Sequence, residues 1–208
     1  MAAANLTVHL PIIQVQNKAN TTPFTCAQPE AASQQFQSGV PVQLNSYGYV
    51  QQWDGTTVTA GILGVSESFG LNLDTAGAGA PALPFGGITG SDAIQTWGQV
   101  PNQPNGVNIA LGTPVSDGRT LFVEPNLDNI FQALFDNAAG AVAADWTPTQ
   151  ADIGKKYGLT ADSTWGFFYV DKNKTAGNAV VQIVALPMGS YLNAPVNFVF
   201  LTTAVQVA

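Results

Sequence analysis

The chain has 208 residues and a formal net charge of −7 at pH 7, and only 9% of its residues are charged. Ordinary globular proteins carry about 25% charged residues, and surface charge helps to keep monomers apart in solution. Six Lys and Arg residues against thirteen Asp and Glu residues argue against nucleic acid as a partner, because phosphate contacts need clustered bases. The neutral polar composition favours a protein that works within an assembly.

Residues 1–37 are predicted to form an extended N-terminal arm. The run LTVHLPIIQVQ is able to form a short strand, but the following KANTTPFTCAQPEAASQQ has no apolar period. No basic region precedes the apolar run and Pro11 interrupts it, which does not match a signal peptide. No run reaches the roughly 18 apolar residues of a membrane span. We therefore expect a soluble chain that is made in the cytoplasm and has no membrane partner.

The strand of the arm needs a partner, because an isolated strand leaves its backbone donors and acceptors unpaired. Addition to the edge of a neighbouring subunit would satisfy them, although Pro11 limits how far such pairing extends. We predict that the arm contacts a neighbouring subunit through its apolar side chains, which are Leu6, Val8, Leu10, Ile12, Ile13 and Val15.

A β-rich domain is predicted over residues 38–208. The stretch GVPVQLNSYGYVQQWDGTTVTAGILGVS at residues 39–66 indicates three short strands, and Asp54-Gly55 is a strong hairpin turn because both residues tolerate positive φ. Residues 70–106 are dense in Gly and Pro and are predicted to be a loop-rich insertion. The β pattern resumes at VNIALGTPVSDGRTLFVE.

One short amphipathic helix is predicted over residues 126–138. Asn126 is able to cap its start, and Gly140 suits its end. The apolar residues fall on a single helical stripe, which consists of Leu127, Ile130, Phe131, Leu134 and Phe135. This stripe is expected to cover an open end of the β-structure.

Further strands are predicted at KKYGLT, WGFFYVD and NAVVQIVAL, with a C-terminal strand over residues 195–207. In this last strand apolar and polar positions alternate, as in a strand with one buried face. The whole pattern predicts a mainly β protein, with a single compact β-barrel or sandwich-like domain, one helix and the N-terminal arm.

Residues able to perform chemistry are few. His9 is the single histidine, and a structural role on its apolar strand is the commoner explanation. Cys26 is the single cysteine, so no intrachain disulfide is possible, and one Cys with one His does not supply a zinc site. We expect no catalytic residue, no cofactor and no bound metal.

One motif match and two residue classes bear on an enzymatic role. GAGAPA matches a dinucleotide-binding fingerprint, but Pro81 lies inside it and no helix pattern follows. Asp54, Asp117 and Asp171 lie in or beside predicted turns, where Asp is favoured for local hydrogen bonding. Core packing is the commoner role of the four Trp residues, although exposed Trp would stack on sugars.

Three stretches of the chain together resemble the head decoration (cement) proteins of tailed bacteriophages. They are SGVPVQLNSYGYVQQWDGTTVTAGILGVSES, LGTPVSDGRTLFVEPN and DIGKKYGLTADSTWGFFYVDKNKTAGNAVVQIVAL, in that order. They cover most of residues 38–186, whereas residues 1–37 and 187–208 carry no matching motif. In that family the β-domain sits on the outer capsid surface, as trimers or at local symmetry axes, and clamps neighbouring coat subunits. The family has no catalytic residues.

The resemblance implies a non-enzymatic structural protein of a virion, made in the host cytoplasm. Its expected partners are the major capsid protein and further copies of itself as a homo-oligomer. An alternative is a glycan- or receptor-binding β-domain of a virion fibre, which would trimerise through long repeated strands or a coiled coil. A third hypothesis is a polysaccharide-degrading enzyme with two paired acids.

Overall fold

A computed structural model of the protein describes residues 9–17, 25–29, 36, 38–46, 48–67, 119–125, 128–162 and 166–206. This part of the chain is mainly β, as predicted, with a closed five-stranded barrel and a second sheet. No helix within these ranges is long and apolar enough to cross a membrane.

Eleven strands are formed by the described residues. They are β1 (Ile13–Asn17), β2 (Thr25–Pro29), β3 (Pro41–Leu44), β4 (Val50–Gln52), β5 (Gly64–Ser66), β6 (Arg119–Val123), β7 (Asn129–Asp136), β8 (Lys156–Ala161), β9 (Phe168–Asp171), β10 (Val181–Ala185) and β11 (Pro195–Phe200). Three single-turn 3-10 helices lie at Ala143–Asp145, Gln150–Asp152 and Ala176–Asn178.

The barrel follows the order β7-β11-β10-β8-β9 and closes where β9 returns to β7. Most neighbours in it are antiparallel, but β7 and β9 are parallel. Their pairing consists of only two residue pairs, Phe135 with Val170 and Asp136 with Asp171. This short parallel pairing is the closing seam of the barrel.

β1 lies beside the first half of β7, on the same edge that β9 uses further along. Its register shifts between Gln14 and Gln16, which marks a β-bulge. The side-chain amide of Gln14 donates to the carbonyl oxygen of Gln16 at 3.4 Å. Among the described strands, β1 is the edge of its sheet.

The arm therefore differs from the prediction. Residues 13–17 pair with β7 of the same chain, and residues 25–29 pair with β6 of the same chain. The strand of the arm therefore has a partner within the molecule, at the edge of β7 that β9 leaves open. Its contact with a neighbouring subunit stays a prediction.

The second sheet has the order β2-β6-β5-β3-β4. The three strands predicted within residues 39–66 are confirmed, but the predicted hairpin at Asp54-Gly55 is wrong. Both β4 and β5 pair with β3, one on each side, so the chain between them has to cross over. The predicted insertion at residues 70–106 lies outside the described residues.

The predicted helix at 126–138 is wrong, because its apolar core is the strand β7. Phe131, Ala133 and Phe135 are buried, and the intervening Gln132 and Leu134 are less so, which is the period of two of a strand. A short apolar run fits either period, and here strands on both sides of β7 supply its backbone partners.

The predicted C-terminal strand is shorter than residues 195–207, because β11 ends at Phe200. After a turn, Val205 bridges Ile62, and the Gln206 amide donates to the Ile62 carbonyl oxygen at 2.7 Å. The Gln206 side-chain oxygen also accepts from the amide of Leu44 at 2.9 Å. The chain after β11 thus connects the barrel to the second sheet.

One continuous hydrophobic cluster contains buried residues of both the barrel and the second sheet. Its largest fully buried side chains are aromatic, namely Phe122, Phe131, Phe135, Phe168, Phe198 and Phe200. Phe131 and Phe200 meet edge to face, with ring centroids 5.2 Å apart. The barrel and the second sheet therefore share one hydrophobic core.

Candidate functional site: a buried acidic cluster and two exposed apolar surfaces

A buried polar cluster lies at the closing seam of the barrel. His9 is 2% exposed, and its Nε2 atom lies 2.8 Å from Oδ2 of Asp136 at the end of β7. The backbone amide of His9 donates to Oδ2 of Asp162, just after β8, at 3.0 Å. Residues that are more than 120 positions apart in the sequence are thus joined at one point.

Two residues of β9 complete this cluster. The His9 ring stacks on Tyr169, with ring centroids 4.1 Å apart and an interplanar angle of 22°. Burial, followed by the neighbouring carboxyl groups of Asp171 and Asp136, raises the pKa of the Tyr169 hydroxyl above its ordinary value. Asp171 accepts a hydrogen bond from the Thr160 hydroxyl at 2.7 Å. Three acids and one histidine therefore share a single buried region.

The cluster is covered by the surrounding chain. His9, Asp136 and Asp171 are each at most 2% exposed, so no external molecule reaches them in this conformation. In the described part of the chain, no group of His, Cys, Asp and Glu is placed to hold a metal ion. The contacts of His9 join distant parts of the chain, which agrees with the structural role expected for it. Its burial is deeper than expected.

Sequence reasoning missed this cluster. Asp171 was assigned to a turn, and its Oδ1 atom does accept from the amide of Asn173 at 3.0 Å. Nothing local in the sequence relates His9 to Asp136 or Asp162. The available signal was a lone histidine within an apolar run, which needs a polar partner if that run is buried.

Two further acids serve local structure. The buried Asp152 accepts from the Tyr157 hydroxyl at 2.6 Å and from the Thr149 amide at 2.8 Å. Burial opposes ionisation, but these hydrogen bonds outweigh it and hold the pKa of Asp152 below its ordinary value. Asp54 accepts from the amides of Thr56 and Thr57, each at 2.7 Å, as expected for a turn.

The predicted interface residues divide into three groups, which are exposed, buried or outside the described residues. Leu10, Ile13 and Val15 are exposed, at 61%, 50% and 39%. Ile12 is only 2% exposed and belongs to the core, so its side chain is not part of the exposed surface. Leu6 and Val8 lie outside the described residues. The first exposed apolar surface therefore consists of Leu10, Ile13 and Val15.

A second exposed apolar surface lies on the loops at the end of β7 and before β11, and sequence reasoning missed it. It consists of Val142, Met188, Tyr191 and Leu192, and is called here the barrel-end patch. The two loops meet where the amide of Asn193 donates to the carbonyl oxygen of Trp146 at 2.9 Å. The absence of charge from AAGAVAA and LPMGSYL was the available signal.

The tryptophans that the structure describes form no sugar-stacking platform. Trp53 and Trp146 are buried in the core, as the commoner interpretation predicted. Trp53 packs beside Phe168 with ring centroids 5.5 Å apart, which joins the second sheet to the barrel. Trp97 and Trp165 lie outside the described residues.

No protein-family model, no curated protein and no solved structure matches the chain significantly.

Proposed function

We propose that the protein is a non-enzymatic structural component of a phage virion, which binds the outer capsid surface and stabilises the coat lattice. The single observation that carries this proposal is the exposed apolar surface of Leu10, Ile13 and Val15 on a segment fixed to the barrel. Exposed clusters of large apolar residues on a folded protein are typical of interaction sites.

Fixation of this segment favours binding. β1 is already ordered by its pairing with β7, so a partner does not pay the entropy of ordering it. The surface carries no charge to desolvate, and a coat lattice would repeat each weak contact many times. The low charge of the whole chain supports the same interpretation.

The absence of catalysis is part of the proposal. The one histidine is buried against acids rather than placed in an open site. The exposed Asp54 accepts hydrogen bonds from the backbone amides of Thr56 and Thr57 and so stabilises its own turn. Purified protein is expected to be inert toward ester, phosphate and glycoside substrates.

Capsid retention tests the proposed function. The triple variant Leu10→Ser, Ile13→Ser, Val15→Ser removes apolar surface from exposed positions, so its melting temperature should stay near that of the wild type. Its retention on capsids under heat or high salt should fall at least about tenfold. The matched control replaces Val142 and Met188 of the barrel-end patch by Ser. Equal retention of the triple variant and the wild type would overturn the assigned surface.

Copy number in the virion tests the function apart from the surface. Mass spectrometry of virions should find the chain in a number comparable to that of the coat protein. A handful of copies per virion would instead favour the alternative, a receptor-binding fibre domain. Absence of the chain from virions would overturn both.

A further inference from the structure

We propose that His9, at the start of residues 9–17 (called here the N-terminal strap), holds the barrel closed at its seam. This inference is independent of the proposed function. Its starting point is the closing seam, where β7 and β9 share only two residue pairs. The pairings of β7 with β11 and of β9 with β8 have four residue pairs each. β10 and β8 also share only two pairs, but backbone hydrogen bonds of Gly154, Val180 and Ile183 extend that junction. The seam is therefore one of the two shortest pairings around the barrel.

His9 contacts the protein on both sides of this seam. Its ring nitrogen Nε2 lies against Asp136 of β7, and its ring face stacks on Tyr169 of β9. Its backbone amide donates to Asp162, in the connection from β8 to β9. One residue of the strap thus joins the two strands whose own pairing is short.

The strap is held along the rest of its length by different contacts. β1 pairs with the first half of β7, and the side chain of Ile12 enters the core. The amide of Ile12 donates to the carbonyl oxygen of Gly39 at 2.9 Å, which connects the strap to the second sheet. Only the His9 end lies at the seam, so the function of His9 can be separated from that of the strap's other contacts.

Electrostatics at the seam explains why closure needs His9. Asp136 and Asp171 form one of the two residue pairs, and both are buried. Among the described residues, His9 is the only basic side chain within 4.0 Å of the Asp136 carboxyl group. Without His9, the buried Asp136 carboxyl group would lose this partner while its strand neighbour is a second buried acid, and a buried acid left without its partner is costly.

Hydrogen exchange of the full chain tests this inference. The amide of Lys172 reports on the seam, because it donates across it to the carbonyl oxygen of Asp136 at 2.8 Å. The amide of Leu63, which donates to Val42 at 2.7 Å, reports on the second sheet. In His9→Ala, exchange at Lys172 should accelerate at least about tenfold, and exchange at Leu63 should stay within about twofold.

Two further variants separate the seam from general loss of stability. Gln14→Ala removes a strap contact to Asn129 far from the seam and should leave the exchange of Lys172 near wild type. Asp136→Asn in the His9→Ala background removes the buried acid left without its partner and should restore slow exchange in large part. If His9→Ala does not fold, His9→Gln takes its place in the same comparison.

The inference is overturned if exchange at Lys172 is unchanged by loss of His9, or if Lys172 and Leu63 accelerate equally. Equal acceleration at Lys172 in Gln14→Ala would also overturn it, because the whole strap rather than its seam end would then be responsible. Failure of Asp136→Asn to slow the exchange would overturn the electrostatic explanation.

Discussion

The barrel and the second sheet reach the same core by different means. The barrel closes on itself, and β7 alone contributes eight residues to it. The second sheet is open, and both β4 and β5 have only three residues. A strand of three residues contributes few backbone hydrogen bonds, so this sheet depends more heavily on side chains packed between the two sheets.

The difference shows that backbone pairing contributes more to the barrel, whereas side-chain packing against the barrel contributes more to the second sheet. Connections at both ends fasten the second sheet to the barrel, through Ile12 on Gly39 and through Val205 on Ile62. Substitutions in the barrel core should therefore affect both sheets, whereas substitutions in the second sheet should affect mainly that sheet.

The largest effect is expected from Phe131→Asp. Phe131 is fully buried against Phe198 and Phe200, so an unpaired charge would enter the core shared by both sheets. The variant should be unfolded at 25 °C by circular dichroism. Gln132→Asp, one position along the same strand and less buried, is the control and should remain folded. A wild-type melting temperature for Phe131→Asp would contradict the assigned core.

A smaller effect, confined to the second sheet, is expected from Gly64→Ala. A Cβ atom at Gly64 would overlap the ring of Phe122 and lie 2.7 Å from the carbonyl oxygen of Val123. Such overpacking costs about 1–3 kcal/mol. Chemical denaturation measures this loss, and hydrogen exchange should place it in the second sheet. Gly177→Ala, where a Cβ atom meets nothing within 4 Å, should leave stability unchanged. Equal loss in both variants would rule out the packing explanation.

The smallest effect is expected on the stability of the protein at low pH. The pKa of Asp152 is held below its ordinary value by the hydrogen bonds that outweigh burial, so its contribution to stability is present above the unfolded-state value of about 3.9. That contribution is lost as the pH falls through the lower folded-state pKa. Melting temperatures from pH 7 to pH 2.5 should therefore fall less steeply in Asp152→Asn than in the wild type.

Asp54 supplies the matched comparison from the second sheet. Its pKa is also lowered, by hydrogen bonds from Thr57 and Thr56 that outweigh a smaller degree of burial. Because Asp54 is exposed, solvent screens these interactions. Asp54→Asn should therefore change the fall of the melting temperature between pH 7 and pH 2.5 less than Asp152→Asn does. The reverse order would contradict the assignment of Asp152 as the better-protected acid.

Much of the barrel was predictable from the sequence, because strands with one buried face show a period of two. Val196 and Phe198 alternate with Asn197 in this way, and β8 to β10 were found at the predicted runs. The same reasoning failed at β7, where Ile130 and Phe131 are adjacent and both buried. Two adjacent buried residues also occur in the apolar stripe of a helix. Only the pairing of β7 with the strands on either side of it favours a strand over a helix.

The candidate site was less predictable than the fold. Exposure of Ile13 and Val15 follows from their place on the edge strand β1, but burial of the preceding Ile12 depends on contacts with distant residues. The partners of His9 are equally distant in sequence. A single sequence records local preferences well, whereas the choice of partner among many Asp residues depends on the closed barrel.

The bulge in β1 bears on how the protein behaves before it meets a partner. Only 9% of the residues are charged, so few charged side chains are available to keep the strand edges of two copies from joining into filaments. The register shift between Gln14 and Gln16 interrupts the regular spacing that a second copy's strand would need, and the Gln14 amide already uses the Gln16 carbonyl oxygen. The edge of β1 is therefore a poor template for polymerisation, while its apolar side chains remain accessible to a partner that binds them from the side.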